Sequence, residues 1–296
     1  MTAEKQVMPA ARTRVVAAVG TLLVLAGLGV PLLLGVRFHA LGLVEALLGS
    51  ALLVGCSSLA LNGSRPTALP ARRAVPAVLA TTAANAVTPA GVGGALVTLR
   101  VHRRSGLSAE EAVAAAGMRS AAGALVALST TAVLASTVGV PVLPSGAPWL
   151  VLGVVALGVG AALAVPRSRG RVVAFLRAVG AVVRRPRCCA MLLVGCAGVT
   201  AAQLLTLHGA VTAVGVDLSW STLLATLMGS AAARSAIPSP GGVGPIEAAL
   251  VGGLTAVGIG FGTAAAAVAV YRTAGHWLPV LGGLVSLRVL RRAQLV

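Results

Sequence analysis

A short segment rich in proline and glycine interrupts the most apolar part of this chain. Residues 239–247 have the sequence Ser-Pro-Gly-Gly-Val-Gly-Pro-Ile-Glu and lie between the apolar runs 220–237 and 248–259. Two prolines and three glycines so close together end any helix. A helix that is broken at membrane depth is tolerated only where protein buries it or where it lines a cavity. The segment therefore predicts the floor of a site inside a membrane protein.

The composition places the chain in a membrane. Of the 296 residues, 57% are apolar and only 10% are charged, whereas a soluble domain carries about 25% charged residues. The net charge of +17 would indicate nucleic acid in a soluble protein, but only 2% of the residues are aromatic and able to stack on bases. The arginines instead cluster between apolar runs, as they do on the cytoplasmic side of membrane proteins. We therefore expect a polytopic membrane protein that binds no nucleic acid.

Six apolar runs are long enough to form membrane-spanning helices. They are residues 15–36, 41–61, 108–138, 149–165, 188–214 and 263–287. Ser108 begins the third of them, and Glu111 three residues later predicts a capping box. Residues 166–187 carry seven arginines among apolar residues, which is typical of an amphipathic helix on the cytoplasmic surface of the membrane.

A second proline-glycine turn divides the chain into two related halves. Residues 88–94 and 239–245 match at the proline, at two glycines and at the valine between them. Arg119 and Arg272 follow these turns at similar distances, and arginine is rare in an apolar helix. We interpret the chain as one membrane domain, 1–296, with pseudo-repeats at about 41–139 and 188–287.

The arginines also indicate how the broken segments 75–101 and 220–259 lie. If both spanned as single helices, the arginines on either side of the first one would face opposite sides of the membrane. If each is a re-entrant hairpin, all but four of the 23 Lys and Arg residues fall on the cytoplasmic side. Three spans separate the two hairpins, so the second half is inverted relative to the first.

The predicted fold class is an all-α polytopic membrane protein with about six transmembrane helices and two re-entrant helical hairpins in an inverted repeat. Both termini are expected in the cytoplasm and the protein in the plasma membrane. Inverted repeats whose broken helices meet near the midplane are a transporter architecture.

Two arginines are expected to meet near the middle of the membrane. Arg119 lies eleven residues after Ser108, roughly 16 Å into the membrane, and Arg272 lies roughly 14 Å in from the other side. Each is costly unless it has a partner. Glu247 is the expected partner for one of them, and Arg234, just before the second turn, is a further candidate to reach it. Because cations outnumber anions at this depth, we expect an anionic ligand such as phosphate.

The two turns are expected to add backbone donors to this site. Pro245 suits the first position of a helix, so the returning arm should start there with free N–H groups and a positive dipole end. The first turn offers the same at Gly93 and Gly94. The predicted substrate-binding residues are Asn85, Pro89, Gly93, Arg119, Arg234, Pro240, Gly241, Gly242, Gly244, Glu247, Tyr271, Arg272 and His276.

Structural roles remain open for several of these residues. Arg119, Arg272 and Glu247 would also serve as ion pairs that lock the two halves together, and the turns as packing kinks. His276 would either contact a head group or be a satisfied core histidine. Asn85 is expected to cap or line the first turn. Three further polar residues are assigned to packing or cavity lining: Glu45, Gln203 and His208.

The sequence shows no pattern that indicates an enzyme. It contains no Ser-His-Asp set, no phosphate-binding P-loop, and no histidines and cysteines at metal-ligand spacing. We therefore expect no catalytic residue, no metal and no cofactor. The four cysteines are assigned to packing.

These residues resemble a known family. The run Pro240-Gly241-Gly242-Val243-Gly244 with Glu247, followed by Tyr271-Arg272 and Trp277-Leu278-Pro279, is similar to the end of the flippase-like transmembrane domain of lysylphosphatidylglycerol synthases. Asn85 with Pro89 and Gly93 resembles its first-half motif. The chain departs from the family pattern at Gly91, Gly94 and Ile246, where the family often carries charged residues. We expect a stand-alone member without the synthase domain.

The resemblance implies a protein that moves an anionic or aminoacylated phospholipid, or a polyprenyl-linked lipid, across the plasma membrane. A phosphate-bearing head group would bind Arg119 and Arg272, Glu247 would position an arginine or a cationic head group, and the glycines would let the backbone approach. Two alternatives stay open: a small-molecule secondary transporter, and a non-transporting partner of a lipid-modifying enzyme. A homo-oligomer is compatible with each of them.

Overall fold

The computed structural model describes residues 38–88, 91–138, 166–237 and 239–292, with single positions at 18, 21, 22, 25 and 29. Every regular element in these residues is helical, which confirms the all-α fold class. The α-helices are α1 (Ala40–Gly63), α2 (Ala71–Ala86), α3 (Val92–Arg104), α4 (Ala109–Val138), α5 (Pro166–Val183), α6 (Pro186–Ala213), α7 (Trp220–Ala236), α8 (Pro245–Ala256), α9 (Phe261–Arg272) and α10 (Leu278–Arg292). A 3-10 turn, Pro240–Gly242, precedes α8, and a π-helical turn, Thr273–Trp277, joins α9 to α10.

Three described helices are long and apolar enough to cross a membrane. They are Ala40–Gly63, Ala109–Ser136 and Pro186–Ala213, and they coincide with three of the six predicted spans. The predicted span 263–287 corresponds to α9 and α10 with the π-helical turn between them. The predicted span 149–165 lies outside the described residues, as does most of 15–36.

One local prediction is confirmed in full, and a second is confirmed in its helical state. At the start of α4, the Ser108 N–H donates to a carboxylate oxygen of Glu111 at 2.8 Å, and the Glu111 N–H donates to the Ser108 hydroxyl at 3.1 Å. This is the predicted capping box. Most of the arginine-rich segment 166–187 is helical, as α5, which packs against α4.

The centre of the described fold is a close antiparallel pair of long helices, α1 and α6. Small residues recur every seven positions along both: Gly42, Gly49, Cys56 and Gly63 on α1, and Gly195, Ala202 and Gly209 on α6. A Cβ atom on Gly49 would lie only 2.7 Å from the Thr206 backbone nitrogen. A seven-residue repeat keeps one stripe of each helix facing its partner, and small residues let the two backbones approach closely.

Two pairs of shorter helices fold back on themselves at the proline-glycine turns. Helix α2 packs against α3, and α7 packs against α8. The arms contain 16 and 13 residues in the first hairpin and 17 and 12 in the second. Their lengths of roughly 18–26 Å are shorter than a hydrocarbon core of about 30 Å.

Separate apolar clusters anchor the two hairpins. The first hairpin packs on α10, where Gly283 lies against the carbonyl oxygen of Leu79, and Val97 and Leu287 belong to the same buried apolar cluster. The second hairpin packs on α6 and α9 through a cluster that includes Leu207, Leu223, Leu250 and Val268. Each hairpin is therefore fixed by packing along its arms, which leaves its turn free to line a cavity.

Candidate functional site

A cavity of about 580 Å³ lies where both turns meet the central helix pair. This volume is within the usual range for a small-ligand site. The polar side chains along its wall are Ser57, Thr82, Asn85, Thr88, Arg119, Gln203, Arg234, Ser239, Arg272 and His276. Its apolar wall is formed by Leu53, Val54, Val78, Val199, Ile246 and Pro279.

The turns of the two hairpins touch each other at this cavity. Gly241 has a φ of +63° and lies so close to the end of α2 that an added Cβ would be 3.4 Å from the Cα of Ala86. Gly242 (φ +68°) lines the same wall. Gly244 (φ +95°) precedes Pro245, which is the first residue of α8 as predicted. These positive φ values are ones that glycine adopts at little cost.

Arg272 is held at the second turn by three contacts. Its Nε lies 2.6 Å from Oε1 of Glu247. Its Nη2 donates to the carbonyl oxygen of Gly241 at 3.0 Å, and its guanidinium carbon lies 5.9 Å from the ring centre of Trp277. The predicted pairing of Glu247 with one of the two arginines is therefore present, and that arginine is Arg272. Only 6% of Arg272 is exposed, whereas 31% of the Glu247 side chain is exposed, so the arginine is buried and its partner is only partly buried.

Glu247 has a second role that the sequence did not predict. Its Oε2 accepts the backbone N–H of Gly244 at 2.8 Å, so the carboxylate caps the start of α8. A carboxylate is stabilising at this end of a helix because it faces the positive end of the helix dipole. One side chain therefore fixes both the turn and Arg272.

The N–H groups of the first turn are not free, which corrects the prediction for Gly93 and Gly94. The Gly93 N–H donates to the hydroxyl of Thr88 at 2.9 Å, and the Gly94 N–H donates to Oδ1 of Asn85 at 2.8 Å. Asn85 both caps α3 and lines the cavity. The prediction failed because caps that reach across a turn consume the donors that a bare helix start would offer to an anion. Side chains, not backbone N–H groups, are therefore the available donors on this wall.

Arg119 and Arg234 line the cavity without a carboxylate partner. Neither guanidinium group forms an ion pair within the described residues. The expectation that Arg234 would reach Glu247 is wrong, because that carboxylate is engaged by Arg272 and by the N–H of Gly244. The aliphatic part of Arg234 instead passes over Gly242, where an added Cβ would be 3.5 Å from its Cδ.

His276 and Tyr271 flank Arg272 on the same helical stretch. His276 packs edge-on against Trp277, with 4.8 Å between ring centres, and lines the cavity. Its Nε2 is buried and has no hydrogen-bond partner within the described part of the chain. Tyr271 is buried beside a recess of about 90 Å³ that also contacts Arg234 and Arg272. His276 therefore lines the main cavity, whereas Tyr271 lies at the adjoining recess and does not line the main cavity.

The remaining predicted residues divide into four groups. Pro89 lies outside the described residues, and of Pro240 only the backbone turn is described. Gly93 and Gly244 shape the turns and do not line the cavity. Gln203 lines the cavity. Glu45 and His208 form a separate pair, with 2.7 Å between Oε1 and Nδ1 and with His208 stacked on Trp220.

Several small hydroxyl side chains of the site were not predicted. Ser57, Thr82, Thr88 and Ser239 all line the cavity. A signal was present, because Thr88 and Ser239 occupy equivalent positions, one residue before the proline of each turn. Ser57 and Thr82 carry no such signal, since single hydroxyl residues are common in apolar helices, where they bond to their own backbone.

The fold and this cavity define a helical membrane protein with a polar, arginine-rich site between two helical hairpins. Residues 10–283 match the family described as the lysylphosphatidylglycerol synthase TM region, and the chain belongs to that family. None of the curated proteins compared with this chain matches it in sequence.

Proposed function

We propose that this domain moves a phosphate-bearing lipid between the leaflets of the plasma membrane and is not an enzyme. The observation that carries the proposal is the pair Arg119 and Arg234, two cations that face a cavity in a membrane domain without a carboxylate partner among the described residues. Arg119 is half-buried and Arg234 is exposed, and both line the cavity. A cation within the depth of the membrane needs a counter-charge. A lipid phosphate supplies that charge and is abundant in every membrane.

The cavity suits a head group whose acyl chains remain in the membrane. Arg119 and Arg234 hold the phosphate, because guanidinium groups form paired hydrogen bonds with phosphate oxygens. Arg272 is already paired, and it holds the second turn in position while contributing to the positive potential. The apolar wall around Val54 and Val199 accommodates the glycerol and the first carbons of the chains.

The hairpins are proposed to be re-entrant and related as an inverted repeat. Their arms are too short to span, and the two turns meet at Ala86 and Gly241. In transporters of this architecture the broken helices of the two repeats meet near the midplane, and one half moves against the other around a fixed site. The loop 64–70 and the end of α3 would lie on the cytoplasmic side, together with both termini.

The proposal is tested with purified protein in vesicles that contain fluorescent phosphatidic acid or phosphatidylglycerol. Arrival of the lipid in the other leaflet is followed by bleaching the outer leaflet with dithionite. We expect Arg119→Gln to slow translocation at least about tenfold, since a charge-assisted hydrogen bond contributes about 1.5–3 kcal/mol. Arg119→Lys restores only part of the rate, because an ammonium group lacks the planar fork.

The matched control is Arg103→Gln, which removes the same charge from an exposed position outside the cavity. It should leave the rate unchanged. If the wild-type protein moves neither lipid, the domain is instead a small-molecule transporter or a non-transporting partner of a lipid-modifying enzyme. If Arg119→Gln folds normally and moves either lipid as fast as the wild-type protein does, Arg119 has a structural role only.

A further inference from the structure

The charges around the cavity do not balance. Three arginines contribute to its wall, Arg119, Arg234 and Arg272. The carboxylate of Glu247, in contact with Arg272, neutralises one of them. The described part of the cavity therefore has two positive charges that no protein group compensates.

The rest of the chain offers almost no carboxylate to change this balance. The sequence contains only six Asp and Glu residues. Besides Glu247, Glu45 bonds to His208 and Glu111 caps α4. Glu110 and Asp217 are exposed, in the first turn of α4 and in the loop after α6, and Glu4 lies outside the described residues. No acid among the described residues is left to pair with Arg119 or Arg234.

The neutral polar groups of the cavity also favour an acceptor-rich ligand. The amide nitrogen of Asn85 has no hydrogen-bond partner within the described residues, since its Oδ1 alone is used for the cap. The buried Nε2 of His276 is likewise unpartnered there. The Asn85 amide supplies N–H donors beside the guanidinium groups, and the Nε2 of His276 supplies another in the tautomer that carries the proton there. Phosphate oxygens are strong acceptors.

Building on the lipid transport proposed above, we propose that the cavity selects a phosphomonoester that carries two negative charges. A phosphomonoester carries about −1.5 to −2 charges at pH 7, because its second pKa is about 6. A phosphodiester carries one negative charge and leaves one arginine uncompensated. An aminoacylated lipid adds ammonium groups that the two free arginines repel. The expected order of affinity is monoester, then diester, then cationic aminoacyl lipid.

The source of the phosphomonoester is a lipid and not a soluble phosphate. Six apolar side chains form the other part of the cavity wall. A soluble phosphate is polar on every side, so these side chains would remove water from some of its oxygens without replacing the lost hydrogen bonds, which is costly. The same side chains are favourable against the carbon atoms that follow a lipid phosphate. Phosphatidic acid and polyprenyl phosphates share the required chemistry.

The test measures dissociation constants of the full-length protein in neutral detergent by native mass spectrometry. The probes are phosphatidic acid, phosphatidylglycerol and lysyl-phosphatidylglycerol with identical acyl chains, and inorganic phosphate as competitor. We expect phosphatidic acid to bind about tenfold more tightly than phosphatidylglycerol, and lysyl-phosphatidylglycerol to bind most weakly. Inorganic phosphate should displace phosphatidic acid only in large excess.

The variants show whether the two free arginines cause this order. Arg119→Gln and Arg234→Gln should each reduce the ratio of the two affinities to about threefold or less, whereas Arg103→Gln should leave it unchanged. Arg119→Lys keeps the charge and should keep the ratio, even if both lipids bind more weakly. Melting temperatures identify any variant that does not fold. If a glutamine variant does not fold, Arg119→Lys still shows whether the positive charge is enough to keep the affinity ratio.

Equal binding of the three lipids by the wild-type protein would overturn this inference, as would an unchanged ratio in both folded glutamine variants. Displacement by inorganic phosphate at equal concentration would overturn the lipid source. The transport proposal fails separately. If the lipids bind in the expected order but none crosses between leaflets, only transport is refuted. If all three cross at the same rate, only the selectivity is refuted.

Discussion

Arg272 and Glu247 join the last helical stretch to the second turn through an ion pair of 2.6 Å between Nε and Oε1. The other oxygen of the same carboxylate caps α8 through the N–H of Gly244. The pair therefore couples two elements that are 25 residues apart in sequence. Because the arginine is only 6% exposed, loss of one partner leaves a charge without compensation.

The first prediction concerns this coupling. Arg272→Ala should lower the free energy of unfolding by about 2–4 kcal/mol, since it removes a buried cation and leaves its partner unpaired. Glu247→Gln in the Arg272→Ala background should recover about 1 kcal/mol, because the neutral amide keeps a hydrogen-bond acceptor for Gly244. The measurement is a double-mutant cycle of melting temperatures in detergent. Strictly additive effects would show that the two side chains do not interact.

The sequence predicted the second turn well because its signals are local. Proline and glycine define the turn within seven residues, and Glu247 follows directly as the acid that was expected to pair with an arginine. The contact between Gly241 and Ala86 was not predictable, because it joins positions 155 residues apart and has no signature in either segment. The sequence predicted that Asn85 would cap or line the first turn, whereas the cap by Thr88 was missed because it acts across a turn.

The central helix pair shows the same limit in another form. The small residue at every seventh position of α1 was visible in the sequence, but a chain rich in glycine and alanine offers many such coincidences. Only the fold shows that Gly42, Gly49 and Gly63 face α6, and that no atom of the described residues lies within 4 Å of a Cβ added to Gly55. Periodicity predicts which residues share a face, whereas the partner of that face depends on the whole topology.

The second prediction tests that close approach. A Cβ on Gly209 would clash with backbone atoms of α1, at the nitrogen of Ala46 and the carbonyl oxygen of Gly42. Gly209→Ala should therefore destabilise the protein by about 1–3 kcal/mol, since backbone cannot move aside as a side-chain end can. The control is Gly55→Ala, where no atom lies within 4 Å of the added Cβ. It should be neutral or stabilising, because alanine is the better helix former.

The third prediction separates contact between the turns from backbone strain. Gly241 and Gly258 both have positive φ, but only Gly241 lies against another segment. Gly241→Ala and Gly258→Ala should each lower the free energy of unfolding by about 1–2 kcal/mol, because alanine is strained in the left-handed conformation. Gly241→Ala alone should also weaken binding of phosphatidic acid, because it pushes the turn away from Ala86 and His276. Equal binding by the two variants would mean that the position of the turn does not shape the site.

The fourth prediction is topological. Cysteines that replace Arg72 and Arg103, one at a time, are placed on a background without the four native cysteines; both positions are exposed. A re-entrant first hairpin brings the start of α2 and the end of α3 to the same side, so both cysteines should react with an impermeant reagent from the cytoplasm only. Labelling from opposite sides would rule out the first re-entrant hairpin and require α2 and α3 together to cross the membrane.

The last prediction places a carboxylate inside the cavity without disturbing the first turn. Asn85→Asp keeps the oxygen that accepts the Gly94 N–H, and a charged cap at a helix start stabilises by about 0.3–1 kcal/mol. The melting temperature should therefore hold or rise. The new carboxylate competes with phosphate for Arg119 and Arg234, so the affinity for phosphatidic acid should fall about tenfold, as expected for the loss of one charge-assisted contact.

Two further variants make this outcome decisive. Asn62→Asp adds the same charge at the end of α1, outside the cavity, where the Asn62 side chain bonds to the backbone of Leu69, and it should not change lipid affinity. Thr82→Asp adds a carboxylate to the cavity wall at a position that caps no helix, and it should weaken binding as Asn85→Asp does. Wild-type affinity for phosphatidic acid in both cavity variants would show that the uncompensated arginines do not hold the anion. The cavity would then have to bind its ligand through the hydroxyl and amide groups alone.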